Sequence, residues 1–180
     1  MARVCVFCAS SLRLERRWLD LAREVGEALA LGGHEVISGG GRVGLMGTLA
    51  EGARSAGGRT IGVIPQSLVD LEVADIAADE LVITDGMAAR KTIMIERSDV
   101  FVILPGGIGT MDELFEVWTV ASLGLHDKPG IIFDAHGFFA GLLGWVDEIA
   151  AAGFISKKAL AVVHVARTVD EVLDAVHRFG

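Results

Sequence analysis

The 180-residue sequence has little of what several large classes of protein require. Only 22% of its residues are charged while 52% are hydrophobic, so there is apolar surface enough to fill an interior, and disorder is not expected. Basic residues are outnumbered, 16 against 24 acidic, for a net charge of −8. Without a basic surface to displace counterions, the balance argues against a general nucleic-acid binder. It does not exclude a nucleotide, whose phosphate a local site can hold. No apolar run approaches the ~20 residues needed to span a bilayer. Met1-Ala2-Arg3 leads into Val4-Cys5-Val6-Phe7-Cys8, an apolar stretch too short for a signal peptide, so a cytoplasmic protein with no membrane partner is expected. There are two cysteines. Cys5 and Cys8 form a C-x-x-C pattern, but no second pair completes a zinc site, and on a strand the two point to opposite faces, as core cysteines would. The five histidines have no metal-ligand spacing, and no metal is assigned. There is no Gly-x-Ser-x-Gly elbow, and no linker, repeat or low-complexity segment. Residues 1–180 are expected to form one domain with a substantial core.

What is present is an alternation of strand-like and helix-like segments. Arg3 to Cys8 reads as a first strand. Glu15 to Leu31 reads as a helix, with Trp18, Leu19, Leu21, Ala22, Val25 and Leu29 near helical spacing and Gly32-Gly33 closing it. His34 to Ser38 is a second strand, followed by Gly39-Gly40-Gly41 and a helix from about Leu45 to Ala56. Thr60 to Ile64 forms a third strand, and Gln66 to Asp79 reads as a short helix within a polar, mobile loop. Glu80 to Thr84, Asp99 to Leu104, Pro129 to Phe133 and Ala161 to Val165 read as further strands, and Met87 to Arg97, Leu114 to Leu123 and about Phe138 to Ala151 as helices. Thr168-Val169-Asp170-Glu171 has the form of a capping box opening a final helix. Near-continuous Val/Ile strands separated by helices predict a mostly parallel sheet covered on both faces, a Rossmann-like α/β three-layer sandwich. Ligands of such sheets bind beyond the carboxyl ends of the strands.

The most informative stretch is Leu104-Pro105-Gly106-Gly107-Ile108-Gly109-Thr110-Met111-Asp112-Glu113. A glycine-rich turn between a buried strand and a helix exposes backbone N–H groups at the positive end of the helix dipole, where a phosphate is held favourably. Thr110 adds a hydroxyl, and Glu113 is expected to bring a carboxylate within the first helical turn. Phosphate cradle and acid side by side point to chemistry on a phosphorylated small molecule. A second motif, Ser38-Gly39-Gly40-Gly41-Arg42-Val43-Gly44, satisfies G-x-G-x-x-G, but it follows the second strand and no acidic residue ends the next one to hold a ribose. It reads either as a tight turn or as a wall of a nucleotide pocket with its N–H groups facing the ligand. Arg90-Lys91, near the start of a helix, oppose its dipole, so anions nearby would explain them: a substrate phosphate or a carboxylate such as Glu113.

Together, Ser38 to Gly41 with Gly44-Leu45-Met46-Gly47, then Arg90-Lys91, then Pro105-Gly106-Gly107-Ile108-Gly109-Thr110 through Glu113 resemble the Lonely Guy (LOG) family of cytokinin-activating phosphoribohydrolases, often mislabelled lysine decarboxylases. The resemblance runs from Val4 to Ile155 and includes Leu123-Gly124-Leu125-His126-Asp127-Lys128-Pro129. It implies a Rossmann-like homodimer that hydrolyses the N-glycosidic bond of N6-modified adenosine 5′-monophosphates without cofactor or metal. It also implies that Arg90 and Glu113 are the catalytic pair. Glu72, Arg90, Lys91, Gly106, Gly107, Ile108, Gly109, Thr110, Met111, Asp112 and Thr119 would contact the nucleotide, with Gly40 and Gly41 in the adjoining wall. The chain departs from the family pattern at Ala9-Ser10-Ser11, where Gly-Ser-Ser is usual, and at Arg13, Trp18 and Ala88-Ala89, positions that bear on the pocket for the base. Two other readings stand beside this one: a non-catalytic carrier of a phosphorylated ligand such as molybdopterin, and NAD-dependent oxidoreduction resting on the glycine match alone.

Overall fold

The computed structural model of the chain describes residues 1–71 and 73–180. Its strands are β1 (Arg3–Phe7), β2 (Glu35–Ser38), β3 (Thr60–Pro65), β4 (Glu80–Thr84), β5 (Val100–Ile103), β6 (Gly130–Phe133) and β7 (Val163–Ala166). Its helices are α1 (Arg16–Leu31), α2 (Gly44–Ser55), α3 (Gln66–Val69), α4 (Met87–Arg97), α5 (Ile108–Ser122), α6 (Ala140–Ala151), α7 (Lys157–Leu160) and α8 (Val169–Phe179), with one 3₁₀ turn at Ala135–Gly137. The strands form a single sheet in the order β4-β3-β2-β1-β5-β6-β7, every pair parallel. β1 sits centrally, with Val4 opposite Val36 on one side and Val100 on the other.

Side chains alternating along each strand feed two cores. Val4 and Val6 pack with Ala22, Val25 and Leu29 of α1, Leu49 of α2 and Val172 of α8. Cys5 and Phe7 face the other way, onto Met94 of α4, Leu114 and Val117 of α5 and Val146 of α6. The two cysteines are free and buried, and they lie in opposite cores. The α1–α2 contact is close enough that a Cβ on Gly26 would lie 2.1 Å from the Leu49 carbonyl oxygen. That close approach is why a glycine, unfavourable inside a helix, stands there.

From β1 the chain order runs towards β2, β3 and β4, and from β5 it runs the opposite way to β6 and β7. The crevice between the carboxyl ends of β1 and β5 is therefore the switch point at which such sheets bind ligands.

Three details differ from the sequence-based expectation. α5 begins at Ile108 rather than Leu114, because glycine costs little in a first turn whose N–H groups have no helical acceptor in any case. Glu113 therefore falls in the second turn, not the first. The segment between β3 and β4 does contain the short helix α3, and residues 73–75 within it are bonded to the glycine turn and to α2. Ala74 bridges to Gly41, Arg42 N–H donates to Val73 O at 2.8 Å, Asp75 N–H donates to Gly40 O at 2.8 Å, and Asp75 pairs with Arg54 at 2.8 Å. Finally, α7, not foreseen, precedes β7 and is capped by Ser156, whose Oγ accepts from Ala159 N–H.

Candidate active site

Backbone hydrogen bonds build the crevice. Leu104 N–H donates to Phe7 O at 2.9 Å and Ala9 N–H to Pro105 O at 3.3 Å, fastening the turn after β1 to the turn after β5. The amino end of α2 is satisfied by the chain itself, since Leu45 and Met46 N–H both donate to Ala9 O, at 2.9 and 3.4 Å. In the glycine triplet after β2, Gly40 N–H donates to Ser38 Oγ and Gly41 N–H to Met46 Sδ. Of the two readings left open by the sequence, the amides of Gly40 and Gly41 fit the tight turn, since they close it themselves, while Gly39 and Gly41 still stand in the cavity lining. The amino end of α5 is different. Its N-cap is Gly107, which has no side chain with which to cap it, and the N–H groups of Ile108, Gly109 and Thr110 have no intrahelical acceptor. With the helix dipole behind them, they are placed to receive an anion.

A cavity of about 600 Å³ opens over this end of the sheet. One side is the turn from Cys8 to Ser11, another is Gly107 to Thr110 with Asp112 and Glu113, and Arg90 stands with Gly39 and Gly41 opposite. Met46, Ile64, Leu68 and Met87 supply an apolar wall.

Two buried charges meet inside it. Arg90 and Glu113 are 5% and 8% exposed. Arg90 Nε donates to Val63 O at 3.0 Å and Nη2 to Gly39 O at 3.0 Å. The third nitrogen, Nη1, lies 3.9 Å from Glu113 Oε1, near enough for attraction but too far for a hydrogen bond. A Cβ on Gly39 would lie 1.6 Å from Arg90 Nη2, so that glycine exists to admit the guanidinium. Burial pushes the Glu113 carboxyl up to about 7, with the Arg90 charge opposing the rise and Asp112 adding to it. Near neutrality it can therefore hold or release a proton. Burial, and secondarily the Glu113 charge, also push the Cys8 thiol up, so it stays protonated and unreactive.

Of the residues singled out in the sequence, the fold brings Arg90, Glu113, Gly107, Ile108, Gly109, Thr110, Asp112 and Gly41 to the cavity lining. Gly106 lines an adjoining apolar recess. Lys91 does not reach the cavity: its Nζ is held by Asp112 at 2.9 Å and Glu116 at 2.8 Å. Gly40 packs on β3, beside Ile64. Met111 packs against the core below, and Thr119 lies on the outer face of α5, near Phe115 and Trp145. Glu72 lies outside the described residues. Ala9, Ser10 and Ser11, which the sequence marked as bearing on the pocket, do line it, whereas sequence reasoning missed Cys8, Val43, Met46, Ile64, Leu68, Val73 and Met87 as lining. The rule that ligands sit beyond strand ends would have found those after β1 and β3. Met87 could have been read from its place one helical turn before Arg90. Among the described residues, no group of three or more His, Cys, Asp or Glu side chains could hold a metal, and no helix is long and apolar enough to cross a membrane.

The chain matches, over residues 46–176, the family model described as "Possible lysine decarboxylase". It is 48% identical to the cytokinin riboside 5′-monophosphate phosphoribohydrolase of Mycobacterium tuberculosis, over 96% of this chain and 90% of that one. It is 37% identical to the cytokinin riboside 5′-monophosphate phosphoribohydrolase LOG4 of Arabidopsis thaliana, over 99% of this chain and 83% of that one. Among solved structures, the molybdenum cofactor carrier protein of Chlamydomonas reinhardtii superposes with a TM-score of 0.76 at 26% identity, covering 99% of this chain and 97% of that one.

Proposed function

Because the chain belongs to the Lonely Guy family of phosphoribohydrolases, we propose that its cleft hydrolyses the N-glycosidic bond of adenosine 5′-monophosphates, N6-modified ones included. The products are the free base and ribose 5-phosphate. The observation that carries this reading is the meeting, in one cavity, of an uncapped helix amino end at Gly107 with the buried pair Arg90 and Glu113.

The phosphate docks on the N–H groups of Ile108, Gly109 and Thr110, which fixes the sugar beside Glu113 and makes the reaction effectively intramolecular. As the bond to the base lengthens, positive charge grows on C1′ and O4′. The Glu113 carboxylate stabilises that charge or takes a proton from the attacking water. Arg90, anchored by two carbonyls, keeps Nη1 turned to the site, where it attracts the phosphate and holds Glu113 in place. Water adds to C1′, and the base leaves with the glycosidic electron pair and a proton. Met46, Ile64, Leu68 and Met87 offer the base an apolar wall.

Three other readings fare worse. A decarboxylase of the kind the family description names needs a lysine at the reacting centre, and among the described residues none lines the cavity. Lys91, the nearest by sequence, has its pKa raised by Glu116 and Asp112, the wrong direction for a nucleophilic amine. A carrier gains nothing from burying a carboxyl beside an anion site, since a Glu113 carboxylate only repels the cargo. Dinucleotide binding at the β2 turn would need amides that Ser38, Met46 and Ala9 already occupy.

The reading includes a cytoplasmic homodimer. Exposed Phe115, Trp145 and Phe154, at 36%, 49% and 84%, give an apolar face for the second copy to cover, and sedimentation at monomer mass under assay conditions would remove that part. The activity is tested by chromatography of AMP, N6-isopentenyl-AMP and adenosine after incubation. Base and ribose 5-phosphate appear from the monophosphates and nothing from the nucleoside. Release of no base from either monophosphate refutes the proposal.

A further inference from the structure

Beside the main cavity lies a second recess of about 290 Å³, lined chiefly by Leu14, Trp18, Leu45, Pro105 and Phe138. It communicates with the main cavity at Ala9, Ser11 and Gly107, which line both. Its aromatic wall is pre-set. Trp18 and Phe138 meet edge to face at 5.6 Å, and Trp18 meets His136 at 5.7 Å. The turn that carries Phe138 is pinned by Phe139 N–H donating to Asp134 Oδ1 at 2.7 Å. The outer face of Trp18 is covered by the Arg17 guanidinium, 4.7 Å from the ring centroid.

The position of this recess decides what it can hold. Gly107 caps the helix end on which the phosphate docks. Glu113, beside which C1′ must lie, lines the main cavity and not the recess. A nucleotide with its phosphate at Gly107 and its C1′ beside Glu113 would run into the main cavity, leaving the recess to the other substituents of the phosphorus. A terminal phosphate would place charged oxygens at an apolar mouth and leave Trp18 and Phe138 without a contact.

We propose that the recess between the Trp18–Phe138 corner and Gly107 takes a flat apolar or aromatic group esterified to the substrate phosphate, so that the site accepts adenosine 5′-phosphodiesters and binds them more tightly than the monophosphate. The inference rests on the phosphate placement given under the proposed function. The chemistry at the sugar is unchanged: water adds to C1′, the base leaves with a proton, and the phosphodiester stays intact on the ribose.

The test compares AMP with its phenyl ester, adenosine 5′-(phenyl phosphate), as substrates for the wild-type chain and the Trp18→Ala and Phe138→Ala variants. One aromatic ring seated against two others lowers KM for the ester by about tenfold relative to AMP. Phe138→Ala removes that advantage while leaving AMP kinetics as they were, which reports that the variant is folded, and Trp18→Ala removes it in the ratio of the two substrates measured on the same variant, whatever its effect on AMP itself. Trp18→Phe keeps part of the advantage, which separates loss of the aromatic contact from general loosening of the corner. An ester that binds no better than AMP overturns the inference, as does a preference that survives both alanine substitutions. In those cases AMP is still cleaved and the glycosidase reading stands, whereas a chain that cleaves neither compound refutes that reading as well.

Discussion

Glu113 holds its place at a cost, and that cost can be read as stability. Its carboxyl titrates at about 7 in the folded chain against 4.5 unperturbed. Below 4.5 both states are protonated and nothing is lost. Between 4.5 and 7 the unfolded chain ionises first, so the folded state loses ground, and above 7 the loss is complete. Glu113→Gln should therefore raise thermal stability at pH 8 by up to about 3 kcal/mol and leave it unchanged at pH 4; melting curves at the two values check the sign. The same substitution should abolish turnover while nucleotide binding by calorimetry persists, because shape is kept and charge is not. For a carboxylate that works ionised, kcat/KM should rise through about pH 7, and a rate that falls there would reassign Glu113 as the acid. Gly39→Ala tests the other member of the pair. The added methyl lands on the Arg90 guanidinium rather than on backbone, so the chain should fold with that side chain shifted off Val63 O and Gly39 O. A fall in kcat of at least about tenfold is expected, and an unimpaired variant would remove the positioning role of Gly39.

Among the elements, α5 and α2 explain why two glycine-rich turns of similar appearance differ in use. Both helices start without a side-chain cap, but Ala9 O fills the end of α2 and nothing in the turn fills that of α5. The distinction was not legible in the sequence, because the acceptor lies in the turn after β1, 36 positions from Leu45. For the same reason a G-x-G-x-x-G match away from the first strand meant little. The alternation of strands and helices was legible because the central strands, β1 and β5 above all, are apolar on both faces and many of the turns are marked by glycine or proline. The start of α5 was not, since Gly107 and Gly109 disguise a first turn that tertiary contacts complete. Ile108→Pro checks the anion site directly. Proline is favoured at the first helical position and Gly107 is already extended, so the helix should persist with one N–H fewer. The KM for a monophosphate should rise by about tenfold or more, as loss of a charge-assisted hydrogen bond implies. Unchanged KM with unchanged circular dichroism would move the phosphate elsewhere.

For the whole molecule, the sheet order explains what each half of the sequence contributes. The strands on the β1 side bring the turn from Cys8 to Ser11, the Gly39 opening for Arg90 and the apolar wall, while β5 brings the anion site and Glu113. The helix-dipole argument already offered Glu113 as a partner for Arg90, but their role as a catalytic pair, 23 positions apart in sequence, came only through the resemblance to a family. The buried geometry that sets the Glu113 proton near neutrality could not be seen in any spacing. Lys91 shows the opposite case, a cation beside the site in sequence that tertiary structure commits to Asp112 and Glu116. The most direct measurement of the central claim is product stoichiometry from N6-isopentenyl-AMP for the wild-type chain and Glu113→Gln side by side. One ribose 5-phosphate for each free base from the wild type, and neither from the variant, is the result predicted. Intact nucleotide after prolonged incubation with the wild type, or equal turnover by the variant, would contradict it.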